Sequence, residues 1–497
     1  MIIPATNADR AGPSPATPTT PAAAHAAIAA RLDRLPPSRA IWTIVLLISA
    51  GGVFEYYDLF FTAYVAPGMV HSGLFTPASL GVFATLVPIG VAGFGTFVFA
   101  TFAGLWCGVV ALGTVADRLG RKRVFLGSLL WYVACTTIMA FQRTGEAVDL
   151  WRFIAGVGFG VQLVTIDAYV SELVPAPYRG RAFSLNQVVS FTAVPLVALL
   201  AWLLVPHRID GMDGWRIVVL IGSAGALVVF ALARGIPESP RWLALHGGFE
   251  RAERIVADLE RRSGLEPGAI GPARGLGAGP GPRTATPAAR PAAPTPAARL
   301  FDARHRGRTL MLSVFNAAQV IGFYGFNAWV PTLLISRGIT VTHSLEYSFI
   351  IAIAQPIGPA VGALFADRLE RRTQIVVALA VMGVAIAAFA RATQPAVLIA
   401  IGVVFTLAAN VMSYAFHNYQ AELYPTSIRA RAVGFVYSWS RLAAAFSGLA
   451  VDYFLRAGGV PAVAAFIAGA MLVAIVSIGL FGPSTRGLSL ERIDDAQ

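Results

Sequence analysis

Asp58 lies deep inside an apolar run, in the stretch Phe54-Glu55-Tyr56-Tyr57-Asp58 of residues 41–67. An ionised carboxylate near the centre of a hydrocarbon layer costs about 2.5–3.5 kcal/mol on insertion scales, so groups of this kind are rare and usually functional. Arg152 stands near the start of another apolar run, 150–172. With that run starting at the outer face, Asp58 and Arg152 lie at matching depths and can pair. The pair reads either as a proton-coupling device or as a static ion pair that fixes packing. Glu55, one helical turn from Asp58, is a second proton-coupling candidate, unless it faces the outer leaflet or a polar neighbour. Arg441, in the apolar run 430–455, is a buried cation that needs a cavity or a charge partner. Its planar guanidinium matches a carboxylate through two parallel hydrogen bonds. The alternative is a salt bridge to Asp452 or to an acid elsewhere in the chain.

Other polar groups share these runs. Positions 152, 156, 160, 163 and 167 fall on one helical face, so Asp167 reads as a second protonation site, a substrate contact or a partner of nearby arginines. Gln162 is a further polar group of the same run. Asn316, Gln319, Tyr324, Asn327 and Trp329 in 309–335, with Tyr414, His417 and Asn418 in 396–418, offer polar and aromatic lining. Trp329 and Tyr419 equally fit an interfacial aromatic belt. Histidine titrates near neutrality, so His417 either assists proton movement or is a satisfied structural residue.

The elements that carry these residues are membrane spans. Of 497 residues 56% are hydrophobic and 13% charged, and the mean hydropathy is +0.66. Soluble domains run near 45–50% apolar and about 25% charged. Many runs here exceed the roughly 18 residues that cross a hydrocarbon core. Twelve helices are predicted, six near 41–67, 93–114, 124–142, 150–172, 182–206 and 215–234, and six near 309–335, 346–365, 374–391, 396–418, 430–455 and 461–481. The apolar stretch 78–92 is a candidate extra helix at the outer surface. The formal charge of +12 is nearly all arginine in short loops, the pattern of positive-inside orientation rather than of nucleic-acid binding. It places both termini in the cytoplasm, which requires an even number of spans. Residues 1–40 read as a disordered tail with no cleavable signal, 41–234 as one six-helix bundle and 309–481 as a second. Residues 235–308 read as a linker with an amphipathic piece around 248–262 and a Gly/Pro/Ala-rich disordered segment at 264–299, and 482–497 as a second tail. Cys107 and Cys135 fall inside apolar runs, with no metal-ligand spacing.

The two bundles repeat. Asp117-Arg118-Leu119-Gly120-Arg121-Lys122 recurs as Asp367-Arg368-Leu369-Glu370-Arg371-Arg372, and Glu172-Leu173-Val174-Pro175 with Arg179 and Arg181 recurs as Glu422-Leu423-Tyr424-Pro425 with Arg429 and Arg431, both at an offset of 250 residues. Internal repeats of this kind place a transporter's site between the halves, near the bilayer midplane.

These residues resemble the major facilitator superfamily over nearly all of 41–490. Gly113 followed by Asp117-Arg118 and Gly120-Arg121-Lys122 is similar to its loop between helices 2 and 3. Arg152 with Gly156, Gly158 and Gly160 resembles the helix-4 pattern of sugar porters and proton-coupled metabolite symporters. Pro237-Glu238-Ser239-Pro240-Arg241-Trp242 and Gly487-Leu488-Ser489-Leu490-Glu491 resemble sugar-porter motifs, and Phe54-to-Asp58 resembles the helix-1 motif of metabolite:proton symporters. The resemblance implies an all-α fold of two six-helix halves and the helix 1–helix 4 pair Asp58–Arg152. It also implies that Asp117, Arg121, Glu172, Arg179 and Arg181, with Asp367, Arg371, Glu422, Arg429 and Arg431, form cytoplasmic charge clusters that latch the outward-open state, where the plain alternative is positive-inside anchoring. Helix 5 keeps the sugar-porter Asn186-Gln187, so Gln187 joins the substrate candidates. Val194 and Ile321-Gly322 stand where sugar porters carry further glutamines, which weighs against a hexose. Arg441 lies 19 residues after Glu422, where organic-anion transporters of the superfamily likewise carry an arginine.

The expectation is a monomeric, multi-pass transporter of the bacterial inner membrane that takes up a small organic acid with protons by alternating access, without cofactor or metal. A sugar or polyol symporter, a drug:proton antiporter and a transporter-like sensor are the alternatives. No nucleophile elbow, metal cluster or phosphate loop points to an enzyme.

Overall fold

The computed structural model describes residues 21–75, 93–112, 115–267, 301–302, 305–365, 370–424 and 429–483. The stretch 78–92, the segment 268–299 and the tail beyond 483 lie outside the described residues. The chain opens with α1 (Pro21–Asp33). The first half then comprises α2 (Arg39–His71), α3 (Gly95–Leu112), the short α4 (Val115–Leu119), α5 (Arg121–Ala140), α6 (Gly145–Leu173), α7 (Arg179–Phe191), α8 (Ala193–Leu204) and α9 (Gly214–Ala233). Two small helices follow, α10 (Pro240–Leu245) and α11 (Phe249–Arg262). The second half comprises α12 (Arg306–Asn327), α13 (Val330–Ile335), α14 (Val341–Ala352), α15 (Ala354–Phe365), α16 (Arg371–Arg391), α17 (Pro395–Glu422) and α18 (Arg429–Phe481). A two-residue-per-strand hairpin, Arg208–Ile209 with Met212–Asp213, precedes α9.

Among the described residues, ten runs are long and apolar enough to cross a membrane. One of them, Ala432–Phe481, contains two spans bent at Gly459, whose φ of 66° breaks the helix just ahead of Pro461. The pair α14–α15 supplies one more, and the total is the twelve expected. Three predicted spans are broken where continuous helices were expected at 182–206, 309–335 and 346–365. The cause is the same each time. Phe191, Asn327 and Ala352 end their helices four residues before Pro195, Pro331 and Pro356, and proline has no N–H to offer the carbonyl four residues back. Leu480 is 72% exposed and Val384 71%, as side chains facing lipid tails should be.

The glycines of the helix-4 pattern set the packing of the first half. A Cβ on Gly156 would sit 2.7 Å from the Thr101 carbonyl, and one on Gly160 would sit 2.3 Å from the Leu105 carbonyl. A Cβ on Gly104 or Gly108 of α3 would likewise sit 2.2 Å from the Phe153 carbonyl or 2.1 Å from the Val157 carbonyl. Small residues spaced by four on both helices let the two backbones touch, a common solution where no hydrophobic force drives helices together. Gly158 serves differently, giving room to the Trp131 ring.

The N-terminal tail is not a disordered segment throughout, as expected from its Pro/Ala/Thr composition. Its second half forms α1, which packs on α10 and α11. Ile28 and Leu32 are buried there, and Arg31 reaches Glu260 at 2.7 Å and Glu253 at 3.3 Å. Asp33 accepts from Arg241 at 2.7 Å and from the Ala176 N–H at 2.8 Å. An apolar stripe of small residues and two charged anchors sufficed, once a surface was there to receive them.

The two halves meet at the end away from the arginine-rich loops. Phe94 meets Trp329 at 5.9 Å, Phe99 meets Phe446 at 5.6 Å, and Trp202 stacks on Phe349 at 5.9 Å. Helix α3 packs on α18, α7 on α15, and α8 on α14. Phe102 against Tyr324, at 4.6 Å, is a further contact between the halves.

Candidate functional site: a charged cavity between the halves and a buried ion pair

Asp58 and Arg152 pair as their depths suggested, and both are fully buried. One guanidinium nitrogen meets Asp58 Oδ2, and Nη2 donates to the Asp58 carbonyl at 2.8 Å and to Thr62 Oγ1 at 3.0 Å. Nε donates to Thr101 Oγ1 at 2.8 Å. The Phe61 ring lies 4.5 Å from the guanidinium carbon and the Phe97 ring 5.3 Å. Asp58 Oδ1 has no hydrogen-bond partner. Neither residue lines the cavity described next. Asp149, one turn before Arg152 and also fully buried, is an acid that the sequence reading passed over because it stands just ahead of the run 150–172, whereas the helix begins at Gly145.

The cavity has a volume of about 230 Å³ and lies between the halves, smaller than the about 300–1,000 Å³ of drug-sized sites. Glu55 and Tyr56 of α2, Asp167 of α6 and Gln187 of α7 reach it from the first half. Gln319 and Tyr324 of α12, His417 of α17 and Arg441 of α18 reach it from the second. Arg441 is its buried cation, 6% exposed. It donates to the Tyr437 hydroxyl at 2.8 Å and the Tyr324 hydroxyl at 3.2 Å, and its guanidinium carbon lies 4.8 Å from the centre of the Tyr437 ring. Its Nε has no partner. No carboxylate among the described residues pairs with it. Asp452, the alternative partner named from the sequence, holds Arg456 at 2.6 Å instead. Tyr56 donates to Gln187 Oε1 at 3.1 Å. His417 Nδ1 lies 2.7 Å from the Ser413 carbonyl, which leaves Nε2 as its other polar atom.

Five expected lining residues are elsewhere, and one of them, Trp329, is buried against Phe94. Asn327 is buried in a ladder within the second half, accepting from Gln355 Nε2 at 3.0 Å, while Gln355 accepts from Asn410 at 2.8 Å. Tyr414 packs on Gly362 of α15, whose absent Cβ would lie 3.2 Å from it. Asn418 turns its amide to the Tyr414 carbonyl at 3.0 Å. Asn316 likewise bonds its own helix, at Leu312, and Gln162 ties α6 to the Gly51 carbonyl at 3.3 Å. The cavity wall gains Asn186, Ser190, Tyr437 and Ser440. Tyr437 was open to discovery, since a residue four before Arg441 shares its face.

At the arginine-rich end, Arg121 bonds Glu172 at 2.8 Å and Asp117 at 2.6 Å, and Arg371 bonds Glu422 at 2.7 Å. The repeat is therefore reproduced as geometry, each ion pair lying within one half. Arg179 departs from the expected cluster and meets Asp33 of α1 at 3.3 Å; Arg181 is exposed. Asp367 and the side chains of Arg429 and Arg431 lie outside the described residues. The two loop motifs of the first half also touch: Glu238 accepts the Lys122 N–H at 3.0 Å, and Trp242 donates to the Asp117 carbonyl at 2.7 Å. Gly120 between them has φ 97°, and a Cβ there would come 2.4 Å from Glu238 Oε2, so both backbone and space demand glycine.

Residues 44–496 match the family model described as "Sugar (and other) transporter". The niacin transporter of Acinetobacter baylyi is 27% identical over 470 residues, spanning 94% of this chain and 99% of that protein. The gallate transporter of Pseudomonas putida is 26% identical over 456 residues, spanning 88% and 93%. Among solved structures, the partially occluded inward-open xylose transporter of Escherichia coli superposes with a TM-score of 0.68 at 20% identity, over 90% of this chain and 99% of that one.

Proposed function

This chain belongs to the sugar (and other) transporter family of the major facilitator superfamily, and on that premise we propose that it carries a small organic acid, of the aromatic carboxylate kind, inward across the inner membrane of a bacterium with protons. The observation that carries this reading is Arg441, a buried cation at the cavity that contacts two tyrosine hydroxyls and, among the described residues, pairs with no carboxylate. Its Nε is left for a ligand, and flanking tyrosine and phenylalanine rings suit a flat ring. Niacin and gallate, named for two relatives, are both aromatic carboxylates. The amides of Asn186, Gln187 and Gln319 at the same cavity support the second reading, a polyol. Binding of nicotinate and nicotinamide to the purified protein separates the two. The carboxylate is expected to bind about five- to tenfold tighter, since a charge-assisted bond exceeds a neutral one by roughly 1–1.5 kcal/mol. Equal binding, or tighter binding of a polyol, sinks the acid.

In this reading the cavity side carrying the arginine-rich loops faces the cytoplasm together with both termini, and the aromatic contacts at the far end close the outer side. The protein works as a monomer. Asp58 with Arg152 is the proton-coupling pair, and Glu55, one turn on and at the cavity, is the group through which coupling reaches the substrate. The Arg121–Glu172 and Arg371–Glu422 clusters hold the helix ends that move when the cytoplasmic side closes. Charge-assisted arginine–carboxylate contacts are directional and suit parts that must form and break. Glu172→Gln and Glu422→Gln are therefore expected to change the labelling pattern of single cysteines placed at either mouth of the cavity, and to slow turnover more than they weaken binding. An unaltered labelling pattern in both variants would reduce the clusters to anchors.

A further inference from the structure

A second cavity, of about 540 Å³, opens at the arginine-rich end between the start of α2, the end of α9 and α11. Its walls divide by chemistry. Ile44 and Leu47 of α2, Ile236 after α9, and Ile255 and Leu259 of α11 are apolar. Arg251, Arg254 and Arg262 line it from α11. Positions 251, 254, 255, 258 and 262 recur at three to four residues and so form one stripe of that helix. The neighbouring stripe is buried, with Ala252 and Val256 at 0% exposure, where α11 packs on α1 and α10. One edge of α11 is thus spoken for by protein, and the arginine edge is turned to the ends of two membrane spans.

The arginines are only partly neutralised. Asp258 takes Arg262 at 2.8 Å and lies 3.8 Å from Arg261, and Arg254 donates to the Glu250 carbonyl at 3.4 Å. Arg251 and Arg254 have no carboxylate partner among the described residues. Three arginines against Asp258 leave the lining with two net positive charges, beside an apolar wall that continues along α2.

We propose that this cavity binds an anionic phospholipid of the leaflet on the arginine-rich side, its phosphodiester among Arg251, Arg254 and Arg262 and an acyl chain along Ile44 and Leu47. Basic pockets beside membrane spans take anionic headgroups in this way. A free phosphate would satisfy the arginines and leave the apolar wall bare. A zwitterionic lipid would fill the wall while bringing its own cation to a positive lining.

Native mass spectrometry of the full chain, titrated separately with phosphatidylglycerol, phosphatidylcholine and inorganic phosphate, tests this. Phosphatidylglycerol is expected to bind about thirtyfold tighter than phosphatidylcholine, which is about 2 kcal/mol at 1.4 kcal/mol per decade and is what two net arginine charges at a membrane surface supply. Arg251→Gln/Arg254→Gln/Arg262→Gln should lose that preference while substrate binding stays as in the wild type, because these side chains are exposed and remote from the substrate cavity. Leu47→Asn should weaken both lipids and leave their ratio. Equal binding of the two lipids overturns the proposal, as does an undiminished preference in the triple variant. Inorganic phosphate binding as tightly as phosphatidylglycerol overturns the lipid and makes this a free-anion site.

Discussion

Arg441→Ala should weaken binding of an aromatic carboxylate by one to two decades and leave its neutral amide as it was. Arg441 sits at the wall of the central cavity at 6% exposure, with Nη1 and Nη2 on Tyr324 and Tyr437 and Nε unpaired. Hydrogen bonds to a charged group in a water-poor site are worth about 1.5–3 kcal/mol, and each 1.4 kcal/mol is about a decade of affinity. Arg441→Lys should recover only part of the loss, because an ammonium keeps the charge without the planar fork. The tyrosines give an internal control. Tyr437→Phe removes one of the bonds that orient the guanidinium and keeps the cation, so it should weaken the carboxylate by less than Arg441→Ala does. The measurement is equilibrium affinity for the acid and its amide across the four proteins. If Arg441→Ala binds both ligands as the wild type does, the cavity's cation is not the acid's partner and the polyol reading takes its place.

Asp58→Asn should abolish accumulation of substrate against a gradient and spare counterflow exchange, which needs no net proton. The geometry also warns of a structural cost. Removing one partner of a buried ion pair leaves an uncompensated charge and costs about 3–5 kcal/mol, and Arg152 has no other carboxylate within reach among the described residues. Loss of uptake by Asp58→Asn alone would therefore be ambiguous. Asp58→Asn/Arg152→Gln separates the causes, because it removes both charges together and should recover much of the stability. Coupling predicts that the double variant folds, exchanges substrate and still fails to accumulate it in proteoliposomes under an imposed pH gradient. A static pair predicts that the double variant accumulates it. Uphill uptake at the wild-type level by either variant would take Asp58 out of the mechanism.

The two sites differ in how far the sequence alone could place them, and α17 shows why. Ser413, Phe416, His417 and Gln420 line the cavity, whereas Asn410 and Tyr414 lie one residue off that stripe and pack on Gly358 and Gly362 of α15. Both stripes are polar and both have helical spacing, so periodicity offers two faces of equal merit. A shift of one residue turns the helix by about 100°. The choice was made by two glycines on another helix, more than forty residues away, which admit Asn410 and Tyr414 and so rotate His417 toward the cavity. Asn327 went astray for the same reason: its partners Gln355 and Asn410 come from helices whose approach no local pattern records. The breaks in the three interrupted spans, by contrast, were written locally, each four residues before a proline.

What the sequence determined by itself is what the bilayer enforces residue by residue. Apolar runs must span, most arginines gather in the loops, and a carboxylate and a guanidinium at one depth in hydrocarbon must find each other, as Asp58 and Arg152 do. The offset of 250 residues likewise determined that Arg121–Glu172 would be answered by Arg371–Glu422, because a repeated segment repeats its geometry. Only the tertiary structure decided which polar stripe faces the cavity, that Arg441 meets tyrosines rather than Asp452, and that the tail folds as α1. Each of these depends on the rotation and approach of a second element, and the close backbone contacts that set rotation and approach are made by side chains far apart in the chain.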